Sequence, residues 1–205
     1  MKYNNFLYYY PPRPENRITP QSLDNYDDGK FIAQPKLDGS ACMLYMNDND
    51  FKVYDRHKKE KSWPVDGQQI YKGEGWMVVC GEWLNKNKSD EKGNKFNLKF
   101  IIWDILIYNG DYLTGSTYLE RVKLLDILYG TESYNEYLYN VTDNFYRVKT
   151  FEKNFKELFD NLTKIELFEG VVLKMKEGKL KKGISQKNNI LTQIKSRRPT
   201  LNYAF

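Results

Sequence analysis

Apolar and polar positions in this chain fall into short runs more often than into helical stripes. Phe31–Pro35, Ser40–Met46 and Phe51–Asp55 read as three strands, with Asn47-Asp-Asn-Asp50 as the turn between the last two. Trp76–Trp83 is a fourth strand, and the polar segment Asn85–Lys95 after it is a loop. Lys99–Tyr108 is apolar almost throughout, interrupted by Asp104, as befits a central strand buried on both faces. Asn109-Gly110-Asp111 then gives a hairpin signal. Ser116 or Thr117 caps a helix through Tyr129, with Leu119, Val122, Leu125 and Leu128 toward the core and Gly130 as its stop. Residues 131–145, rich in Tyr and Asn, read as a loop, and Thr150 opens a second helix carrying Phe151, Phe155, Leu158, Phe159 and Leu162 inward. Phe168–Lys174 and Leu191–Arg198 complete the strands. Strands dominate with two helices between them, so the expected class is α+β, built on antiparallel sheets flanked by helices.

Residues 1–20 contain Tyr8-Tyr-Tyr-Pro-Pro-Arg-Pro, where the prolines forbid a helix; an extended strap along the surface is expected. With 205 residues, 40% hydrophobic and 16% aromatic, the chain can bury a sizeable core, and a single domain over 1–205 is expected. The net charge of +5 permits a polyanionic partner without demanding one. Cys42 and Cys80 lie in apolar runs and read as buried thiols in a reducing compartment, not as a zinc site. One histidine, His57, and no Gly-x-Ser-x-Gly elbow argue against a serine hydrolase. No secretory signal and no long apolar run is present, so a cytoplasmic, monomeric protein away from membranes is expected.

The candidate chemistry lies where charged residues interrupt apolar strands. Lys36-Leu37-Asp38-Gly39 follows the first strand directly; an amine held there in a cleft is a nucleophile, whereas the same four residues exposed are an ordinary turn. Arg56, Glu82, Asp104, Glu169 and Lys174 occupy comparable strand-end or mid-strand positions. Lys195 and Arg197 alternate with Ile194 and Ser196, so both bases point to one face. Each has a structural reading as a solvated strand end. Together they describe a cleft of cations and carboxylates suited to a nucleotide's phosphates and a divalent metal.

The ordered set Lys36-Leu-Asp-Gly39, Arg56, Gly81-Glu82, Trp103-Asp104, Glu169-Gly-Val-Val-Leu-Lys174 and Lys195-Ser-Arg197 resembles the covalent nucleotidyltransferases: ATP-dependent DNA and RNA ligases and mRNA-capping guanylyltransferases. The resemblance spans about residues 30–198 and implies the ligase-type (ATP-grasp-like) nucleotidyltransferase fold. It further implies that Lys36 attacks the α-phosphate of ATP to give a lysyl–AMP. Glu82 would hold the ribose, Trp103 stack on adenine, Gln34 read the adenine edge, and Arg56 contact the ribose or phosphate. Glu169, with Glu82, would serve Mg²⁺ or Mn²⁺, and Lys174 and Lys195 the α-phosphate. Arg197 stands where many relatives have a second lysine.

Two features depart from the pattern. No segment after Lys195 is long enough for the OB-fold that follows in DNA ligases and capping enzymes, so the expectation is that either this catalytic domain works alone or surfaces such as Lys174–Arg198 and Arg56–Lys61 clamp the nucleic acid. Ala41 occupies a position where those enzymes usually have arginine, closer to RNA-ligase usage, while Trp103–Gly115 looks more like a DNA ligase. The expectation is a ligase joining 3′-OH and 5′-phosphate ends of DNA or RNA. The alternatives are an RNA guanylyltransferase, separable by GTP-against-ATP labelling, and a non-catalytic nucleic-acid-binding relative. The small size and Tyr/Asn/Lys-rich composition suit a phage or other mobile-element enzyme acting in a host cytoplasm.

Overall fold

The computed structural model describes residues 6–14, 16–85, 87–184 and 191–199. Its strands in chain order are β1 (Asn16–Arg17), β2 (Phe31–Leu37), β3 (Ser40–Met46), β4 (Phe51–Asp55), β5 (Glu60–Lys61), β6 (Met77–Leu84), β7 (Lys88–Ser89), β8 (Lys95–Phe96), β9 (Lys99–Tyr108), β10 (Asp111–Tyr112), β11 (Leu138–Asn140), β12 (Phe145–Val148), β13 (Phe168–Met175) and β14 (Gln193–Arg197). Two α-helices, α1 (Tyr118–Tyr129) and α2 (Phe155–Leu162), join them.

Two sheets organise the molecule. One has the order β1-β14-β13-β2; the other runs β11-β12-β9-β6-β3-β4-β5, with β10 hairpinned onto β9. Consecutive strands β2 and β3 belong to different sheets, so the chain crosses from one to the other at Asp38-Gly39; Lys36 and Leu37, expected to follow the first strand, are the last two residues of β2. Pro35 is tolerated because β2 is the edge of its sheet. The Asn109-Gly110 turn has positive φ at both residues, 51° and 75°, which matches the strand twist of a tight hairpin.

Four expectations need correction. The sheets are mixed: β12 lies parallel to β9 and β1 parallel to β14. The first of these pairings needs a crossover, which α1 supplies. Residues 131–145 are not all loop, since β11 falls within them and pairs with β12. Helix α2 starts at Phe155, not near Thr150, because Phe151 bridges to Ala33 of β2 instead of coiling. On α1, capped by Thr117 and Glu120 in a reciprocal capping box, the buried residues are Tyr118, Arg121 and Leu125; Leu119 and Val122 are only partly covered.

One face of the four-stranded sheet (Ala33, Val171, Leu173, Ile194) packs with Phe155, Phe159 and Leu162 of α2. The outer face of the larger sheet (Leu44, Val79, Ile102, Ile105) packs with Leu125 of α1. Both cysteines are buried free thiols, and burial pushes the Cys42 thiol up to about 12. Among the described residues no helix is long and apolar enough to cross a membrane.

Candidate nucleotide-binding site

Between the two sheets lies a cavity built from the other face of the small sheet. Antiparallel register puts Gln34 beside Val172, Val172 beside Lys195, and Lys174 beside Gln193. Side chains of directly opposed residues share a face, and these residues line the floor together with Lys36. The larger sheet supplies the opposite wall: Ala41 of β3, Glu82 of β6 and Trp103 of β9, with Arg56 from the turn after β4. The cavity thus gathers Gln34, Lys36, Arg56, Glu82, Trp103, Lys174 and Lys195.

Glu169 and Arg197 adjoin this group. Lys36 Nζ donates to Glu169 Oε1, and Arg197 Nη1 lies 3.9 Å from Glu169 Oε2. Strict alternation along β13 would send Glu169 to the core face with Val171 and Leu173. A β-bulge between Phe168 and Gly170 breaks the alternation and turns the carboxylate to Lys36. Gly170 makes the bulge possible: its φ is +149°, and a Cβ there would lie 2.1 Å from Ser196 O.

Trp103 is placed by the same device. Ile102 pairs with Gly81 and Asp104 with Cys80, leaving Trp103 as the extra residue of a bulge in β9. Three side chains converge on its carbonyl: Lys174 Nζ at 3.3 Å, Gln34 Nε2 at 3.4 Å and Tyr118 OH at 3.4 Å. Lys174 is buried, with its ammonium 4.7 Å from the Trp103 ring centroid and 4.4 Å from that of Tyr118. Asp104 turns the other way, into a bidentate pair with Arg121 at 2.8 and 3.0 Å. Burial raises the Asp104 pKa, but Arg121 and Lys174 outweigh it and hold the carboxyl below its ordinary value. Asp104 is therefore a structural anchor for α1.

The charges in the cavity perturb one another. Desolvation lifts the Glu82 pKa to about 7, with Lys36 opposing the rise and Glu169 adding to it. Desolvation lowers Lys174 to about 8, while Asp104 pulls it back up. Lys195 is also lowered, first by burial and then by Lys36, Arg197, Arg13 and Arg17. Arg56 is exposed, and its Nε lies 3.1 Å from His57 Nε2. Among the described residues no cluster of three or more His, Cys, Asp or Glu side chains could hold a metal. One or two carboxylates with the ligand's own phosphates are the usual donor set for Mg²⁺, and Glu169 with Glu82 fits that mode.

Sequence reasoning missed one wall. Pro11, Pro12, Arg13 and Pro14 of the strap line the cavity, and β1 pairs with β14 so that Arg17 lies beside Lys195. The prolines signalled an extended segment, but nothing local in the sequence says where such a segment docks.

The family model for the ATP-dependent DNA ligase domain matches residues 61–195. The chain belongs to this family. Solved structures agree on the fold. The mycobacterial DNA ligase D complexed with ATP and MES matches with a TM-score of 0.64 and 16% identity, over 92% of this chain and 60% of that one. The ligase domain of M. tuberculosis LigD matches at 0.61 and 15%, over 92% and 59%. A Lig E DNA ligase, described as binding DNA with a minimal scaffold, matches at 0.57 and 15%, over 94% and 70%. No curated protein matches the chain. The chain thus spans about 60% of the length of the ligase D structures, and its fold is the α+β ligase nucleotidyltransferase fold.

Proposed function

We propose that this domain catalyses ATP-dependent joining of polynucleotide ends through a covalent adenylate on Lys36. The observation that carries the reading is the placement of Lys36 Nζ: against Glu169, in a cavity that also holds Lys195, Glu82 and the indole of Trp103. Lys36 Nζ donates to Glu169, so that carboxylate stands where it can take the proton the amine must lose. The free amine attacks the α-phosphorus of ATP; the new N–P bond forms as the bond to the bridging oxygen breaks, and pyrophosphate leaves with the electron pair. Lys195 and Lys174 stabilise charge on the α-phosphate, with Arg197 behind them; stabilisation of this kind supplies most of the catalysis in phosphoryl transfer.

Trp103 stacks on the adenine, whose edge Gln34 reads, and Glu82 holds the ribose with Arg56 at its rim. Glu169, with Glu82, would hold the divalent cation, Mg²⁺ or Mn²⁺, whose contribution when bound is to neutralise phosphate charge. AMP then passes to a 5′-phosphate, and a 3′-hydroxyl displaces it to seal the strand. Nicked DNA is the first substrate to test, since the family is named for DNA ligases.

The test is a denaturing gel of the protein incubated with α-labelled ATP or GTP and Mg²⁺. A labelled band with ATP, absent in Lys36→Ala, is expected, followed by sealing of nicked DNA, RNA or hybrid duplexes. No band from wild type excludes covalent catalysis, and a band with GTP alone makes the protein a guanylyltransferase.

A further inference from the structure

The cavity lining is unbalanced. Five bases (Arg13, Lys36, Arg56, Lys174 and Lys195) face it against one acid, Glu82. Glu169 is engaged by Lys36 and Arg197, and no ion pair of Arg13 or Lys195 is present among the described residues. Such an excess, partly shielded from water, calls for a polyanion, and one α-phosphate does not answer it.

Arg13 differs from the other four in being fixed by the strap. Upstream, Tyr9 stacks on Tyr112 at 4.4 Å and donates its N–H to Tyr45 OH at 2.9 Å, while Tyr10 N–H donates to Gly183 O at 2.8 Å. Downstream, Asn16 and Arg17 pair with Ile194 and Lys195, and Ile18 N–H donates to Lys195 O at 3.1 Å. Between these anchors Pro11, Pro12 and Pro14 lock φ on both sides of Arg13, so little backbone freedom remains to be lost when a ligand binds. The guanidinium lies close enough to Lys195 to help depress its pKa, while Lys195 stands two positions from Arg197 on β14.

We propose that Arg13 is the ligand for the β- and γ-phosphates of the bound nucleoside triphosphate and remains on pyrophosphate as it departs. This deepens the reading above and rests on it for the identity of the nucleotide. Arg13 exchanges no proton; its planar fork matches two phosphate oxygens and stabilises the charge that accumulates on the leaving group as the N–P bond forms at Lys36. The strap is then the part of this chain that distinguishes a triphosphate from a monophosphate.

The experiment is equilibrium binding of α,β-methylene-ATP, which cannot transfer AMP, and of AMP, to wild type, Arg13→Ala and Arg13→Lys in the presence of Mg²⁺. In Arg13→Ala the methylene analogue should lose at least about tenfold in affinity, the scale of one charge-assisted hydrogen bond, while AMP affinity stays within about twofold. Arg13→Lys should recover part of the loss. Equal weakening of both ligands means the strap merely holds the fold, and it overturns the proposal. No weakening overturns it too, as does a wild type that binds neither ligand. A wild type that binds the analogue in an Arg13-dependent way yet forms no labelled adduct with ATP refutes the covalent reading and leaves this subsite standing.

Discussion

Gly170→Ala tests the link between backbone geometry and chemistry most sharply. Gly170 has φ +149°, where an L side chain is strained, and an added methyl would lie 2.1 Å from Ser196 O, 2.8 Å from Arg197 Cα and 3.0 Å from the Phe159 ring. Two of these are backbone atoms of β14, which cannot yield without opening the ladder from Gly170–Arg197 to Lys174–Gln193. Backbone strain of about 1–3 kcal/mol and overpacking of about 1–3 kcal/mol add to a destabilisation of about 2–6 kcal/mol. For a domain of this size that lowers Tm by on the order of 10 °C. Relieving the clash also undoes the bulge that aims Glu169 at Lys36, so adenylate formation should fall more than tenfold even well below the variant's Tm. The assay pairs a thermal melt with labelling by α-labelled ATP. Gly130→Ala is the control, since Gly130 also has positive φ (+71°) but nothing within 4 Å of where a methyl would stand; its cost is backbone strain alone, about 1–3 kcal/mol, with no effect on labelling. If Gly170→Ala melts within a degree or two of wild type and labels normally, the bulge does not position the carboxylate.

Three more outcomes follow from the same contacts. Asp104→Asn strands the Arg121 guanidinium and should cost about 3–5 kcal/mol in a urea melt, much of it recovered in an Asp104→Leu/Arg121→Met double variant; a loss under about 1 kcal/mol contradicts the buried pair. Glu82 has its folded pKa raised from 4.5 to about 7. The folded state therefore binds more protons than the unfolded between those values, and wild type loses stability as pH rises through that window. Glu82→Gln removes the loss, so relative to wild type it should gain about 1–3 kcal/mol between pH 5 and pH 8, and a pH-independent difference would refute the shift. Trp103→Ala should weaken ATP binding by about 1–3 kcal/mol, read by nucleotide titration, with no change if the indole does not meet the base.

The fold class was legible in the sequence, and β9 was read end to end as Lys99–Tyr108. Lys36, Glu82 and Lys195 each had an ordinary structural reading alone and stood out through the ordered motifs of the family resemblance; the structure brings the three to one cavity. What alternation could not supply were the two bulges. Read with strict period two, Glu169 belongs to the core face, and β9 would keep the same register with β6 beyond Trp103. One extra residue in the β13–β2 ladder turns Glu169, and one of the two in the β6–β9 ladder places Trp103; no local residue type announces either except, in hindsight, Gly170. The α1 face was misassigned for a related reason. Leucines were counted as the inward stripe, but Asp104 of β9 draws Arg121 inward, so a cation occupies the buried row. In β11 three residues pair within a Tyr- and Asn-rich stretch, too short and too polar to register as a strand. The strap read correctly as extended, while its docking depends on a tertiary stack of Tyr9 on Tyr112 that local pattern does not encode.

The central claim is that the Lys36 amine bonds to the α-phosphorus of ATP. Incubating the protein with ATP and Mg²⁺, quenching, digesting and mapping peptides by mass spectrometry tests it directly. An adenylate on Lys36, removed when pyrophosphate is added back, is the expected result. An adduct on any other residue, or none while ATP is demonstrably bound, contradicts the account.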